Sequence, residues 1–246
     1  MSGHSKWSTI KYKKGAKDIQ RGKLFAKLAR AVEIAARDGG GDPTMNATLA
    51  LAVQKAKDAS MPNDNIERAI KRGIGDVAAT HYDEIWYEGY GAGGVALYVQ
   101  VLTDNRNRAA SEVRSTFTRN NGNLGEPGSV AYQFEQKGYL LATGSEDDVM
   151  LAALDAGAED VRSSNGQFEV ICAPVDLGTV RTALEKVGVA VESAEVTQLP
   201  TTTIPLREDA ARSVLRLVDA LEELDDVQAV YANFDISDEV MGLVAG

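Results

Sequence analysis

Ten lysines and arginines stand against two acids in the first 37 residues, MSGHSKWSTIKYKKGAKDIQRGKLFAKLARAVEIAAR. Lys6, Lys11, Lys13, Lys14, Lys17, Arg21 and Lys23 suit phosphate oxygens, and their engagement with a polyanion would release its condensed counterions. Trp7 and Tyr12 lie among them and could stack on unpaired bases, while Ser5, Ser8 and Thr9 could donate hydrogen bonds to phosphates. An exposed indole forfeits favourable burial unless something covers it. The cover here is either a nucleic acid or the chain's own helices.

The rest of the chain has the opposite sign. Residues 1–80 hold 15 basic and 8 acidic side chains, whereas residues 81–246 hold 11 and 28, a division of +7 against −17. One end is suited to a polyanion, and the acidic remainder to solvent or to basic protein surfaces, basic ribosomal proteins among them.

A second candidate is Thr103–Arg108, TDNRNR, at an expected junction between a strand and a helix. Arg106 and Arg108 fall in the first helical turn, where the helix dipole disfavours cations and the unpaired N–H groups already attract an anion. A phosphate or a carboxylate therefore belongs beside them, supplied either by RNA or by an internal ion pair. Arg114 and Arg119 continue the basic character of this helix.

Signals for catalysis are weak. GYGAGG, Gly89–Gly94, lacks the Gly-Lys-Ser/Thr ending of a phosphate loop and precedes a strand, so it reads as a hairpin turn. GEPGS, Gly125–Ser129, is turn chemistry of the same kind. His4 and His81 are the two histidines, and neither has metal-ligand or nucleophile spacing, so no metal and no cofactor are expected. A Ser2-Gly3-His4 terminus could chelate copper only incidentally. Glu222, Glu223, Asp225 and Asp226 read as a solvated helix end. Cys172 is the single cysteine, which excludes an intrachain disulfide, and its alternation with Phe168 and Val170 makes it a small core residue on a strand.

Hydrophobic periodicity sets the elements that carry these groups. From Asp18 to Arg37, Leu24, Phe25, Leu28, Val32 and Ala35 share one helical face, with Lys23, Lys27, Arg30 and Arg37 opposite. GGGDP ends that helix, and a second one over about Asn46–Ala59 follows. A third short helix after Met61-Pro62 has Asp64 and Glu67 at capping-box spacing. The pattern then turns to strand: IWYEGY and VALYVQVLT form a hairpin, a helix spans about Asn105–Asn120, and GSVAYQF adds a strand. Gly138–Pro200 reads as a complete βαββαβ unit, which closes a ferredoxin-like sandwich alone. The last helix, about Arg207–Leu224, and the strand VQAVYANFDI need a sheet, and completing the interrupted layer is the economical solution.

The fold class is thus α and α+β multidomain. An N-terminal three-helix domain with its basic arm occupies residues 1–78, and a discontinuous α+β domain takes 79–136 and 201–246. A ferredoxin-like domain, 137–200, is inserted into the latter. No apolar run approaches the roughly 20 residues needed to cross a bilayer, and no secretory h-region begins the chain, which points to a cytoplasmic, non-membrane protein. A monomer is expected.

Several long motifs carry a resemblance. GHSKWSTIKYKKGAKDIQRGKLFAKLAR, GGGDPTMNATL, MPNDNIERAIKRG, YEGYGAGGVALYV, TDNRNRAASEVR and NNGNLGEPGSVAYQFEQKG occur in an order that resembles the YebC family across most of the chain. Asn121 stands where glycine is expected and Ala92 where proline is common; neither touches the basic arm. The resemblance implies a three-domain protein without established catalytic activity. It further implies a role in gene expression, described in the family both as DNA-binding transcriptional regulation and as translational activation, including relief of ribosomes stalled on proline-rich chains. A duplex reader would ordinarily offer a recognition helix or half-site geometry, and none can be placed here. A Trp-bearing basic arm suits folded RNA, where unpaired bases are open to stacking. Ribosomal RNA is therefore favoured over duplex DNA, and an enzyme acting in an interdomain cleft is the remote alternative. The residues expected to contact nucleic acid are Lys6, Trp7, Lys11, Tyr12, Lys13, Lys14, Lys17, Arg21, Lys23, Lys27 and Arg30. Arg106, Arg108 and Arg114 are the possible anion or RNA contacts.

Overall fold

The computed structural model describes residues 18–75, 81–164 and 166–244. The described residues begin with α1 (Asp18–Gly39), α2 (Ala47–Asp58) and α3 (Asn63–Ile74). Leu28, Val32, Ala35 and Ala36 of α1 meet Leu49, Val53 and Ala56 of α2 and Ile66 and Ala69 of α3 in one buried core, with Leu24 and Phe25 packed at its edge. Asn46 joins the first two helices. Its Oδ1 accepts the Leu49 N–H at 3.0 Å, and its Nδ2 donates to the carbonyls of Ala35 at 2.7 Å and Gly40 at 2.8 Å. Gly73 lets α3 lie directly on α1, since a Cβ there would collide with the Glu33 carbonyl oxygen and sit 2.9 Å from Ala36 Cβ. The expected capping box is absent: α3 starts behind Pro62, whose side chain makes no cap bond, and Asp64 lies within the first turn. There it complements the helix dipole instead.

Next come β1 (Asp83–Tyr90), β2 (Ala96–Thr103), α4 (Arg106–Arg119) and β3 (Asn123–Leu124). The hairpin has Tyr90 opposite Ala96 and Asp83 opposite Thr103. Gly93 and Gly94 take positive φ in its turn, which explains GYGAGG without a ligand. Strand β4 (Phe134–Thr143), α5 (Glu146–Asp155), β5 (Ala158–Ser164), β6 (Gln167–Cys172), α6 (Leu177–Lys186) and β7 (Ala190–Pro200) form the expected βαββαβ unit. Their sheet order, β5-β6-β4-β7, is that of the ferredoxin-like sandwich. Leu140, Phe168, Val170 and Cys172 pack on Val149 and Ala153 of α5 and Val180 and Leu184 of α6. The described residues close with β8 (Ile204–Pro205), α7 (Glu208–Glu222), β9 (Val227–Ala232), β10 (Phe234–Asp235) and α8 (Asp238–Val244).

Strand β9 adds to β2, giving the order β3-β1-β2-β9 and completing the layer that the βαββαβ unit interrupts. Helices α4 and α7 bury Val113, Phe117, Val214, Leu217 and Leu221 on Leu97, Val99 and Val101 of this sheet. By contacts the chain forms two compact units. Among the described residues, one comprises residues 24–75 and 136–198, and the other residues 18–23, 81–135 and 199–244. In the first unit, Arg181 of α6 reaches Asp58 at 3.1 Å, and Lys55 pairs with Glu195 at 2.5 Å.

Two expected strands are corrected. GSVAYQF is not one: Ala131–Gln133 is a single 3₁₀ turn, and the strand begins at Phe134 as the first of the inserted unit. The N–H groups of Val130 and Ala131 bond the Glu88 carboxylate, so no strand ladder can use them. VQAVYANFDI is broken at Asn233, whose Oδ1 accepts the Ala96 N–H at 2.8 Å and whose carbonyl accepts the Ile204 N–H at 2.7 Å. The chain thereby leaves β2 and pairs in parallel with β8.

Candidate nucleic-acid interface

Lys6, Trp7, Lys11, Tyr12, Lys13, Lys14 and Lys17 lie outside the described residues. The described part of the basic segment begins on α1. Lys23, Lys27 and Arg30 follow at spacings of four and three residues, which places them on one stripe of the helix. All three are partly exposed, and Arg21 is exposed. Lys23 Nζ donates to Glu223 Oε2 at 2.7 Å and to the Glu223 carbonyl at 3.2 Å, which raises its pKa above that of an ordinary lysine. Arg37 turns inward to Glu33 at 2.9 Å, and Arg72 of α3 meets the same carboxylate at 3.1 Å.

The strand-to-helix junction has its anion built in. Arg106 holds Asp83 through Nε at 2.9 Å and Nη2 at 3.3 Å. Arg108 Nη2 donates to Asp226 Oδ2 at 2.8 Å and to Asp104 Oδ1 at 2.7 Å, and both bonds raise the guanidinium's already high pKa. Asp226 is buried and also accepts from Thr103 Oγ1 at 2.8 Å. Asn105 caps α4 by accepting the Arg108 N–H. In the folded chain the carboxylates of Asp83, Asp104 and Asp226 pair with these two arginines. Arg114 is exposed on the outer side of α4.

Other features are invisible to local sequence reading. Glu88 on β1 is buried, yet its carboxylate accepts N–H groups from Gly128 at 2.7 Å, Val130 at 2.6 Å and Ala131 at 2.9 Å. Burial works against the charge, and the three donors more than offset it, so its pKa falls below the usual value. GEPGS is thereby pinned to the sheet. On the same sheet face Trp86 stacks on Tyr98 at 4.3 Å between centroids, with Tyr231 at 6.0 Å from Trp86 and Phe134 at 5.8 Å from Tyr98. Alternation along β1 does put Trp86 and Glu88 on one face, but the partners of both come from distant segments.

Cys172 is fully buried opposite Gly138, and burial, with Asp176 and Glu159 nearby, pushes its thiol up to about 11. It is a packing residue, as expected. His81 is exposed near Asp83. Among the described residues no group of three or more His, Cys, Asp or Glu side chains could hold a metal ion, and no helix is long and apolar enough to cross a membrane.

A chain whose described residues form three large hydrophobic cores, one all-helical and two α+β with the second inserted in the first, and which carries a basic helix from Asp18, belongs among multidomain α and α+β proteins. The "TACO1/YebC protein N-terminal domain" model matches residues 5–76, and the "TACO1/YebC second and third domain" model matches residues 82–234. This chain is a member of the TACO1/YebC family. A "probable transcriptional regulatory protein" of Acidothermus cellulolyticus is 58% identical over 248 residues, covering 99% of this chain and 100% of that one. A protein of the same name from Rubrobacter xylanophilus is 59% identical over 250 residues, covering both chains fully. The crystal structure of the conserved hypothetical protein Aq1575 from Aquifex aeolicus superposes with a TM-score of 0.82 at 46% identity, over 91% of this chain and 94% of that one.

Proposed function

We infer that this protein is a non-enzymatic, nucleic-acid-binding regulator of gene expression that acts as a monomeric, cytoplasmic translation factor on ribosomal RNA. Assistance to elongation stalled on proline-rich chains is the activity the family resemblance adds. The single observation that carries the reading is the segregation of charge: ten basic residues against two acids in the first 37 positions of a chain whose net charge is −10. Lys23, Lys27 and Arg30 extend that basic segment along one stripe of α1, and Trp7 and Tyr12 supply the stacking groups that unpaired RNA bases need. Arg114 offers a further phosphate contact, while Arg106 and Arg108 serve the fold through their carboxylates.

The name of the relatives, probable transcriptional regulatory protein, favours a second reading, a DNA-binding transcriptional regulator. Co-sedimentation with ribosomes at about 0.15 M salt, where exposed charges are screened beyond about 8 Å, separates the two when excess duplex DNA is present. Retention on ribosomes, lost in Lys11→Glu/Lys13→Glu/Lys14→Glu, is the expected result. Transfer to the DNA would replace the ribosome with an operator.

A further inference from the structure

Helix α5 of the inserted unit buries Val149 and Ala153 and turns an apolar triangle outward. Leu151 is 67% exposed, Leu154 50% and Met150 38%. Spacings of three and four residues put these side chains side by side, the arrangement with which a helix face grips another helix. Three large apolar groups gathered on one exposed face of a ten-residue helix differ from singly scattered surface leucines.

The rim is uniformly acidic. Glu146, Asp147, Asp148 and Asp155 are all exposed, and the helix contains no basic residue. The first three occupy the opening turn, where the helix dipole alone gives them a use. Asp155 has no such use. It lies in the last turn, where the dipole disfavours an anion and a lysine or arginine would stabilise the helix. An acid held against that preference, beside Leu151 and Leu154, extends the negative rim to both ends of the apolar triangle.

We propose that the outer face of α5 docks a basic amphipathic helix of another protein, its leucine-type side chains meeting Met150, Leu151 and Leu154 and its lysines or arginines meeting Asp147, Asp148 and Asp155. The patch would repel a second copy of itself and any nucleic acid, because its rim carries only negative charge. A basic protein helix is the partner whose charge and apolar pattern both match. This surface goes beyond the nucleic-acid reading and holds whether the polyanion is RNA or DNA.

The test is in-cell photo-crosslinking of the full chain carrying Leu151→p-benzoylphenylalanine, with sequencing of the crosslinked peptides and the same probe at exposed Met45 as reference. Adducts from position 151 are expected in protein segments that combine apolar residues at helical spacing with several lysines or arginines. Asp147→Lys/Asp148→Lys/Asp155→Lys in the probe-bearing chain is expected to cut their yield at least tenfold while nucleic-acid binding stays intact. Because the first two changes also oppose the helix dipole, Asp155→Lys alone is the second arm. It leaves α5 folded and is expected to lower the yield about threefold, about 0.6 kcal/mol by the thermal conversion. Adducts to nucleic acid or to a second copy, a yield no higher than from Met45, or a yield indifferent to Asp155→Lys would each overturn the proposal. Loss of nucleic-acid binding by the wild-type chain would count against the function proposed above and leave this surface standing.

Discussion

The Glu88 carboxylate receives the Val130 N–H at 2.6 Å across 42 positions of sequence, with Gly128 and Ala131 completing three donors on one side chain. A single buried anion therefore decides where a loop ends and a strand begins. Replacing it by alanine leaves three N–H groups without their acceptor, and hydrogen bonds to a charged group are each worth about 1.5–3 kcal/mol. Glu88→Ala is expected to lower unfolding free energy by about 3 kcal/mol in urea titration, with Glu88→Gln intermediate.

The same residue sets a pH dependence. Its folded-state pKa lies below the unfolded value, so its contribution is complete above the usual glutamate range and is lost as pH falls through the folded pKa. Stability of the wild type should decline from about pH 5 downward, more steeply than that of Glu88→Gln. Thermal melts at a series of pH values check this; parallel curves would assign the acid sensitivity to other carboxylates.

Arg108 has two carboxylate partners of unequal burial. Asp226 is buried and shared with Thr103, whereas Asp104 is exposed. Asp226→Ala should destabilise the fold by about 2 kcal/mol because it removes a buried acceptor from two donors. Asp104→Ala should stay within about 0.5 kcal/mol, as solvent-exposed pairs do. Chemical denaturation of the two variants separates the roles.

Gly73 stands where α3 crosses α1, against the Glu33 carbonyl and Ala36. In an isolated helix, Gly→Ala would gain about 1 kcal/mol. Here the added methyl must displace backbone, and overpacking of this kind costs about 1–3 kcal/mol. Gly73→Ala is expected to lower the melting temperature in spite of its better helix propensity.

Binding to nucleic acid should follow the salt law for polyelectrolytes. Lys11→Ala/Lys13→Ala/Lys14→Ala removes three phosphate contacts, so the slope of log K against log salt should become shallower by about 2 on single-stranded RNA. Fluorescence anisotropy from about 0.05 to 0.3 M salt measures it. An unchanged slope would place the binding surface away from the arm.

Where neighbours in sequence control the outcome, the chain could be read directly. The stripe Leu28, Val32 and Ala35, the hairpin glycines Gly93 and Gly94, and the βαββαβ alternation all act over a few residues, and the structure has each where periodicity put it. The return of α7 and β9 to the interrupted sheet was also legible, because an amphipathic helix and a lone strand cannot bury their faces unaided. The basic segment is likewise a fact of composition.

Tertiary structure decided the polar groups. The internal partner of Arg108, Asp226, lies 118 positions away, and the start of β4 depended on Glu88. Asn233, which breaks the last strand, does so by bonding Ala96 across 137 positions. Apolar periodicity is a local property of a helix or strand, so sequence alone determined most of the elements, their apolar faces and the charge segregation, but not where the strands at Phe134 and Asn233 start and break. A buried hydrogen-bonding group takes whichever partner the folded chain brings within about 3 Å, and only the assembled fold selects that partner.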